Sequence, residues 1–140
     1  MPYTIDWLIP DEVIYVRYIG VTTADELRES LLKTRDYMEA SPRFLVHGII
    51  DVGEVTHPVS LKESMQVVRE VGVHPRTGWS ISIREKSPLI KMGAAIGSSI
   101  FQMRYRAFDT LEQAVKHLKL VDEMLSWDRI NPAILDLHAV

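Results

Sequence analysis

The 140-residue chain contains no cysteine. This absence excludes a disulfide framework, a thiolate nucleophile and a thiolate metal site. The chain also lacks any run of about 18 apolar residues, so we expect no segment that spans a membrane. Its N-terminus has no charged and apolar run of the secretory type. Together these absences predict a cytoplasmic protein.

Clustered positive charge is missing as well. The chain has 16 Lys and Arg against 19 Asp and Glu, which gives a net charge of -3. Because nucleic acids are bound by clustered Lys and Arg, we do not expect nucleic acid as a partner. The chain is 46% hydrophobic, which is ordinary for one globular domain with its own core.

The most informative stretch is residues 44–52, which are almost continuously apolar and include Asp51 near the end. A strand that is covered on both faces has this composition, which indicates a central and parallel strand. Ligand sites in such sheets usually lie beyond the carboxyl ends of the strands. We therefore expect a ligand or partner site at Asp51 and in the loop 52–59.

Periodic patterns predict the remaining strands. Apolar and polar residues alternate in 3–9 and in 12–19, and Pro10-Asp11 is a turn signal between these two runs. The pair predicts an antiparallel hairpin. Two later strands are predicted at 79–84 and 103–108.

Helix signals lie between these strands. Capping boxes begin at Thr23, Ser60 and Asp109, and Ser87-Pro88 is a fourth helix start. The sequence therefore predicts a single α/β domain in residues 1–125, with a mixed sheet, four helices and the order β-β-α-β-α-β-α-β-α. Residues 126–140 form an apolar tail, which we expect to dock on this domain or on a second subunit.

Three short stretches carry a resemblance to a known family. They are residues 13–27, the strand 44–51, and residues 108–114 with the pattern F-x-[ST]-x-E-x-A. They resemble the STAS-like group, which comprises the anti-sigma-factor antagonist (SpoIIAA-like) domains and their lipid-binding SEC14-type relatives. The resemblance implies a protein-interaction module or ligand sensor without catalysis. It also aligns Thr56 with the region of the phosphorylated Ser or Thr of some members, but the Ser-Gly pair of that site is absent here.

Several polar residues are candidates for a site. Asp51, Glu54 and His57 could form a polar pocket in which the carboxylate holds the imidazole for acid–base chemistry. Alternatively, Asp51 accepts N–H groups of its own loop. Thr56 is the nearest hydroxyl, and Arg76 lies in a Pro- and Gly-containing loop that either binds an anion or is a surface turn. The histidines have no zinc-type spacing and no nucleotide-binding motif occurs, so we expect neither a metal nor a cofactor.

The small residues Gly93 and Gly97 allow three interpretations. Their helix packs closely on its own domain, contacts a second subunit, or leaves room for an apolar ligand. Since Ile134 and Leu137 add apolar surface in the tail, we expect a homodimer in which these four residues contribute to the contact.

The leading hypothesis is a non-enzymatic STAS-like module that binds a regulatory protein or senses a small ligand. One alternative is a carrier of an apolar or lipid ligand, with its cavity beneath residues 93–103. The other is a small hydrolase or isomerase that uses Asp51, Glu54 and His57.

Overall fold

The computed structural model describes residues 3–139. The elements are β1 (Tyr3–Ile9), β2 (Val13–Val21), α1 (Ala24–Ala40), β3 (Val46–His57), α2 (Leu61–Val71), β4 (Thr77–Ile83), α3 (Pro88–Ile100), β5 (Arg104–Phe108), α4 (Leu111–Val121), a 3-10 turn (Trp127–Arg129) and α5 (Pro132–Leu137). The predicted fold class and element order are confirmed. The tail adds the 3-10 turn and the short helix α5.

The five strands form one sheet in the order β1-β2-β3-β4-β5. Strands β1 and β2 pair as an antiparallel hairpin, and β2 to β5 are parallel. Right-handed crossovers that all proceed in the same direction place their helices on the same side of a sheet. Helices α1, α2 and α3 accordingly cover one face, and α4 and α5 cover the other.

Strand β3 begins later and ends later than the sequence indicated. Phe44 is 88% exposed and precedes the strand, which starts at Val46. Most of the predicted loop 52–59 is strand, because the pairing with β2 continues to His57. A register shift after Asp51 places three residues of β3 opposite two of β2, as in a β-bulge.

The helix starts follow the capping signals closely. The side chains of Thr23, Ser60 and Ser87 each accept a backbone N–H three residues later. The fourth cap is Thr110 rather than Asp109, and its hydroxyl accepts the Gln113 N–H. These bonds satisfy N–H groups that have no partner within the helix.

The main apolar core lies between the sheet and α4. Its buried residues are Leu8, Ile9, Val13, Tyr15, Ile49, Ile81, Ile83, Leu111, Ala114, Leu118, Leu125 and Ile134. The tail belongs to this core: Ile134 is 4% exposed, and the Asn131 N–H donates to the Leu8 carbonyl at 2.8 Å. Leu137, on the same helix, is 50% exposed. The tail thus docks on its own domain.

We expect Ile134→Ala to lower the free energy of unfolding by about 2–5 kcal/mol, because it opens a cavity in the core. Leu137→Ala is the matched control on the same helix and should cost less than about 0.5 kcal/mol, since its side chain is exposed. Urea denaturation of both variants checks this. Equal and small losses would mean that the tail contributes little to the fold.

Candidate functional site

Asp51 is the sixth of the twelve residues of β3, so it lies in the middle of the strand rather than at its carboxyl end. Its side chain is on the face covered by α4. Its side chain is 1% exposed and accepts the Gly53 N–H at 3.0 Å and the Arg84 Nε–H at 2.9 Å. The Tyr15 hydroxyl donates to its other oxygen. Each of these hydrogen bonds offsets the cost of burying a carboxylate.

His138, which follows α5, completes this cluster. Its Nε2 lies 2.8 Å from the Tyr15 oxygen and 3.3 Å from Asp51 Oδ2. Because the Tyr15 proton is committed to Asp51, His138 must donate from Nε2. Burial raises the pKa of Tyr15, and the bond to Asp51 adds to this. Burial also lowers the pKa of His138, against the attraction of Asp51.

The other candidate polar residues are not brought together with Asp51. Glu54 pairs with Arg17, and His57 lies exposed, with its Nδ1 3.2 Å from the Thr56 hydroxyl. Arg76 donates to the backbone carbonyls of Met38 and Ser41 rather than facing solvent. Asp51, Glu54 and His57 therefore have separate partners.

A second buried polar cluster lies at the opposite end of the same sheet face. His47 is buried, accepts the Trp79 N–H on Nδ1 at 2.9 Å and places Nε2 2.8 Å from Asp122. The imidazole is therefore the neutral Nε2–H tautomer. Burial lowers the pKa of His47, although Asp122 opposes the shift. Gly78 is required beside this ring, since a Cβ there would lie 2.4 Å from Nδ1.

This second cluster also holds the tail. Arg43 contacts Asp122 at 2.8 Å and Glu12 at 3.4 Å. Glu12 in turn accepts the backbone N–H and the hydroxyl of Ser126. The tail is thus fastened at Ser126 by one polar cluster and at His138 by the other.

A large apolar cavity of about 640 Å³ lies on the other face of the sheet, beneath α1, α2 and α3. The sheet contributes Ile14, Val16, Tyr18, Gly48, Ile50, Ser80 and Tyr105, and the helices contribute mainly Leu31, Arg35, Met38, Leu61, Met65, Val68, Ile90, Met92, Ile96 and Gly97. Ligand pockets typically measure about 300–1,000 Å³ and have mostly apolar walls. The cavity matches both features.

Gly48 forms part of the cavity floor in the middle of the central strand. A Cβ built on Gly48 would have no atom within 4 Å, although β2 and β4 flank this residue. Gly48 and Ile50 are only half-buried in spite of their central position. A glycine inside a strand often marks a place where a ligand approaches the backbone closely.

The small residues of α3 face helix α2. A Cβ on Gly93 would lie 2.9 Å from Leu61 Cδ2, and one on Gly97 would lie 3.7 Å from Met65 Cγ. These glycines therefore bring α3 close to α2 within the domain. Beside these glycines, α3 carries four apolar side chains that are more than half exposed: Leu89, Met92, Ile96 and Ile100. Leu89, Met92 and Ile96 also line the cavity.

No protein-family model matches the chain, and no curated protein matches its sequence. Within residues 3–139, no helix has the length and apolar character needed to cross a membrane. The same part of the chain contains no group of three or more His, Asp or Glu side chains arranged to hold a metal ion.

Sequence reasoning placed a cavity beneath residues 93–103 among its alternatives but missed most of the wall residues. The missed residues come from α1, α2 and the central strands, which are distant in sequence. Gly48 is a local signal that could have pointed to them, because it is a glycine in the middle of the predicted central strand.

The buried His47 predicts a pH dependence of stability. Its pKa is lowered in the folded protein, whereas in the unfolded chain it binds a proton near pH 6.5. The unfolded state therefore binds more protons as the pH falls below about 6.5, and stability decreases by up to about 1.4 kcal/mol per pH unit for such a group.

We expect the free energy of unfolding to fall more steeply in the wild type than in His47→Gln when the pH is lowered from about 7 to about 5. Urea denaturation across this range measures both slopes, and above about pH 7.5 the two curves should run parallel. The difference comes from the histidine and not from Asp122, which titrates below this pH range. Burial alone would raise the pKa of Asp122, but the hydrogen bonds from His47 and the Met124 N–H, together with the charge of Arg43, lower it. Parallel curves at all pH values would contradict the assignment.

Proposed function

We propose that the protein binds an apolar, lipid-like ligand in the cavity between the sheet and helices α1 to α3. The observation that carries this proposal is the cavity itself, with its volume of about 640 Å³ and its mostly apolar wall. Cores are normally packed without voids larger than a water molecule. A space of this size over a central strand is therefore what a ligand-binding protein would maintain.

The energetics support an apolar occupant. A ligand that fills the cavity would remove Gly48, Ile50 and the inner side chains of α2 and α3 from water, at about 25 cal/mol for each Å² of apolar surface. A ligand that binds only the folded state also stabilises it in proportion to its concentration and affinity.

The polar clusters support a non-enzymatic role. Asp51 and His47, the two buried groups best suited to acid–base chemistry, are engaged by Arg84, Tyr15, Trp79 and Asp122 and hold the tail in place. Neither residue lines the cavity. The STAS-like relationship, a regulatory partner and a cytoplasmic location stay predictions from the sequence.

A second candidate function is self-association through α3. Its exposed residues Leu89, Met92, Ile96 and Ile100 form one stripe at helical spacing, and contiguous apolar surface of this kind often marks an interaction site. A homodimer would use this stripe rather than Gly93 and Gly97, which face α2. Ile134 is buried in its own core and would not contribute.

We expect Gly48→Leu to reduce the affinity for the uncharged dye Nile red at least about tenfold, since the added side chain would occupy the cavity. The variant should fold with unchanged or higher stability, because the site has room for the side chain and glycine weakens a strand by about 0.5–1 kcal/mol. Fluorescence titration and thermal unfolding measure the two effects.

Thr4→Leu is the matched control. It places the same side chain on β1 at an exposed position outside the cavity and should leave dye binding unchanged. A folded Gly48→Leu protein that binds Nile red with wild-type affinity would exclude the cavity as the site.

Self-association makes a separate prediction. Native mass spectrometry of the wild type should show a dimer, and Met92→Glu should yield a monomer, because a charge in the centre of an apolar contact is costly to desolvate. Leu120→Glu on α4, where the side chain is 82% exposed, is the control and should remain dimeric. A monomeric wild type at every concentration would exclude this candidate.

A further inference from the structure

We propose that the ligand is a single-chain amphiphile with an anionic headgroup, and that Arg35 of α1 binds this headgroup. The inference rests on the proposed function, because it concerns the same cavity. It adds the chemical class of the ligand and the residue that selects it.

Arg35 is unusual among the residues of the cavity wall. Among the described residues it is the only Asp, Glu, Lys or Arg that lines the cavity, where it is surrounded by apolar side chains from α1 and α2. A charged group at the edge of an apolar pocket typically fixes the orientation of a ligand. The charge of Arg35 is positive, so it selects an anion.

The guanidinium of Arg35 also has no carboxylate partner. Within residues 3–139 no Asp or Glu oxygen lies within 4.0 Å of it, and its hydrogen bonds go from Nη1 to the Val71 and Gly72 carbonyls, at 3.3 and 3.4 Å. Arg28, two turns earlier on the same helix, contacts Asp25 at 2.7 Å and Glu70 at 2.9 Å. Arg35 therefore keeps Nε and Nη2 available for a planar or tetrahedral anion.

The position of Arg35 suits a headgroup at the mouth of the cavity. The carbonyls that it contacts end α2 and lead into β4, so the guanidinium lies toward the amino-terminal edge of the parallel strands. The side chain is half-buried, which leaves the headgroup access to water. Leu61 and Leu89, in the first turns of α2 and α3, line the cavity toward the opposite edge of the sheet.

An aliphatic chain that starts at Arg35 would thus extend beneath α2 and α3 across the apolar floor. A neutral ligand would fill the same space but would bring no negative charge to the guanidinium, whose free N–H groups would then bond to water or to a neutral oxygen. A carboxylate or phosphate can accept two parallel N–H bonds from a guanidinium and also neutralises its charge, which a single hydroxyl cannot do. An anionic amphiphile is therefore the ligand whose apolar chain matches the cavity wall and whose headgroup matches the positive charge of Arg35.

Three probes with the same chain test the proposal: dodecanoate, dodecyl phosphate and dodecanol, each competing with Nile red at about pH 8, where the carboxyl group is ionised. We expect at least one anion to bind the wild type at least about tenfold more tightly than dodecanol. Whichever anion binds more tightly identifies the headgroup as a carboxylate or a phosphate.

Variants assign the preference to Arg35. Arg35→Gln should remove the preference for the anion and leave the affinity for dodecanol within about twofold, whereas Arg35→Lys should retain part of it. Arg28→Gln, on the same helix but outside the cavity, should bind all three probes as the wild type does. Circular dichroism confirms that each variant is folded.

Two negative outcomes are distinguishable. If dodecanol binds the wild type as tightly as both anions, or if Arg35→Gln weakens all three probes equally, the role of Arg35 is overturned while the apolar cavity remains. If neither Nile red nor any probe binds, the proposed function fails, and the inference fails with it. The comparison of probes on the wild type needs no variant, so a folding defect in Arg35→Gln would not prevent a decision.

Discussion

The direction of the crossovers sets the arrangement of the helices around the sheet. Each right-handed connection from β2 to β5 adds the next strand on the same side of the previous one, so all three connecting helices lie on one face of the sheet. In a doubly wound sheet the direction reverses, and the crevice at the reversal binds the ligand. Here there is no reversal among the parallel strands. The open space lies instead between the sheet and its helical layer.

The two faces of the sheet are covered to different extents. On one face, α4 and the tail pack against a dense core of aliphatic side chains, and buried polar clusters at Asp51 and His47 close its two ends. The tail is part of this closure, since Ser126 and His138 are each held by one cluster. On the other face, three helices cover the sheet incompletely, and the central residues Gly48 and Ile50 are left half-buried.

The small residues of α3 affect how the helices cover the cavity. Its glycines allow close approach to Leu61 and Met65 of α2, so the helical layer stays continuous although the space beneath it is not filled. Its larger apolar side chains then line the cavity mouth or point outward. Arg35 is the only Asp, Glu, Lys or Arg of this wall among the described residues, and the proposed preference for an anionic ligand depends on it.

The element order, the central strand and the helix starts could be predicted from the sequence, because hydrophobic periodicity and capping are local signals. Thr23, Ser60 and Ser87 could be read directly for that reason. The ends of β3 could not be predicted in this way. A strand continues as long as the neighbouring strand offers backbone hydrogen-bond partners, and the bulge after Asp51 realigns β3 with β2. Tertiary structure alone decided that Asp51 meets Tyr15, Arg84 and His138 rather than Glu54 and His57. It also decided that Gly48 and Arg35 share one cavity, because these contacts join residues whose distance along the chain carries no periodic signal.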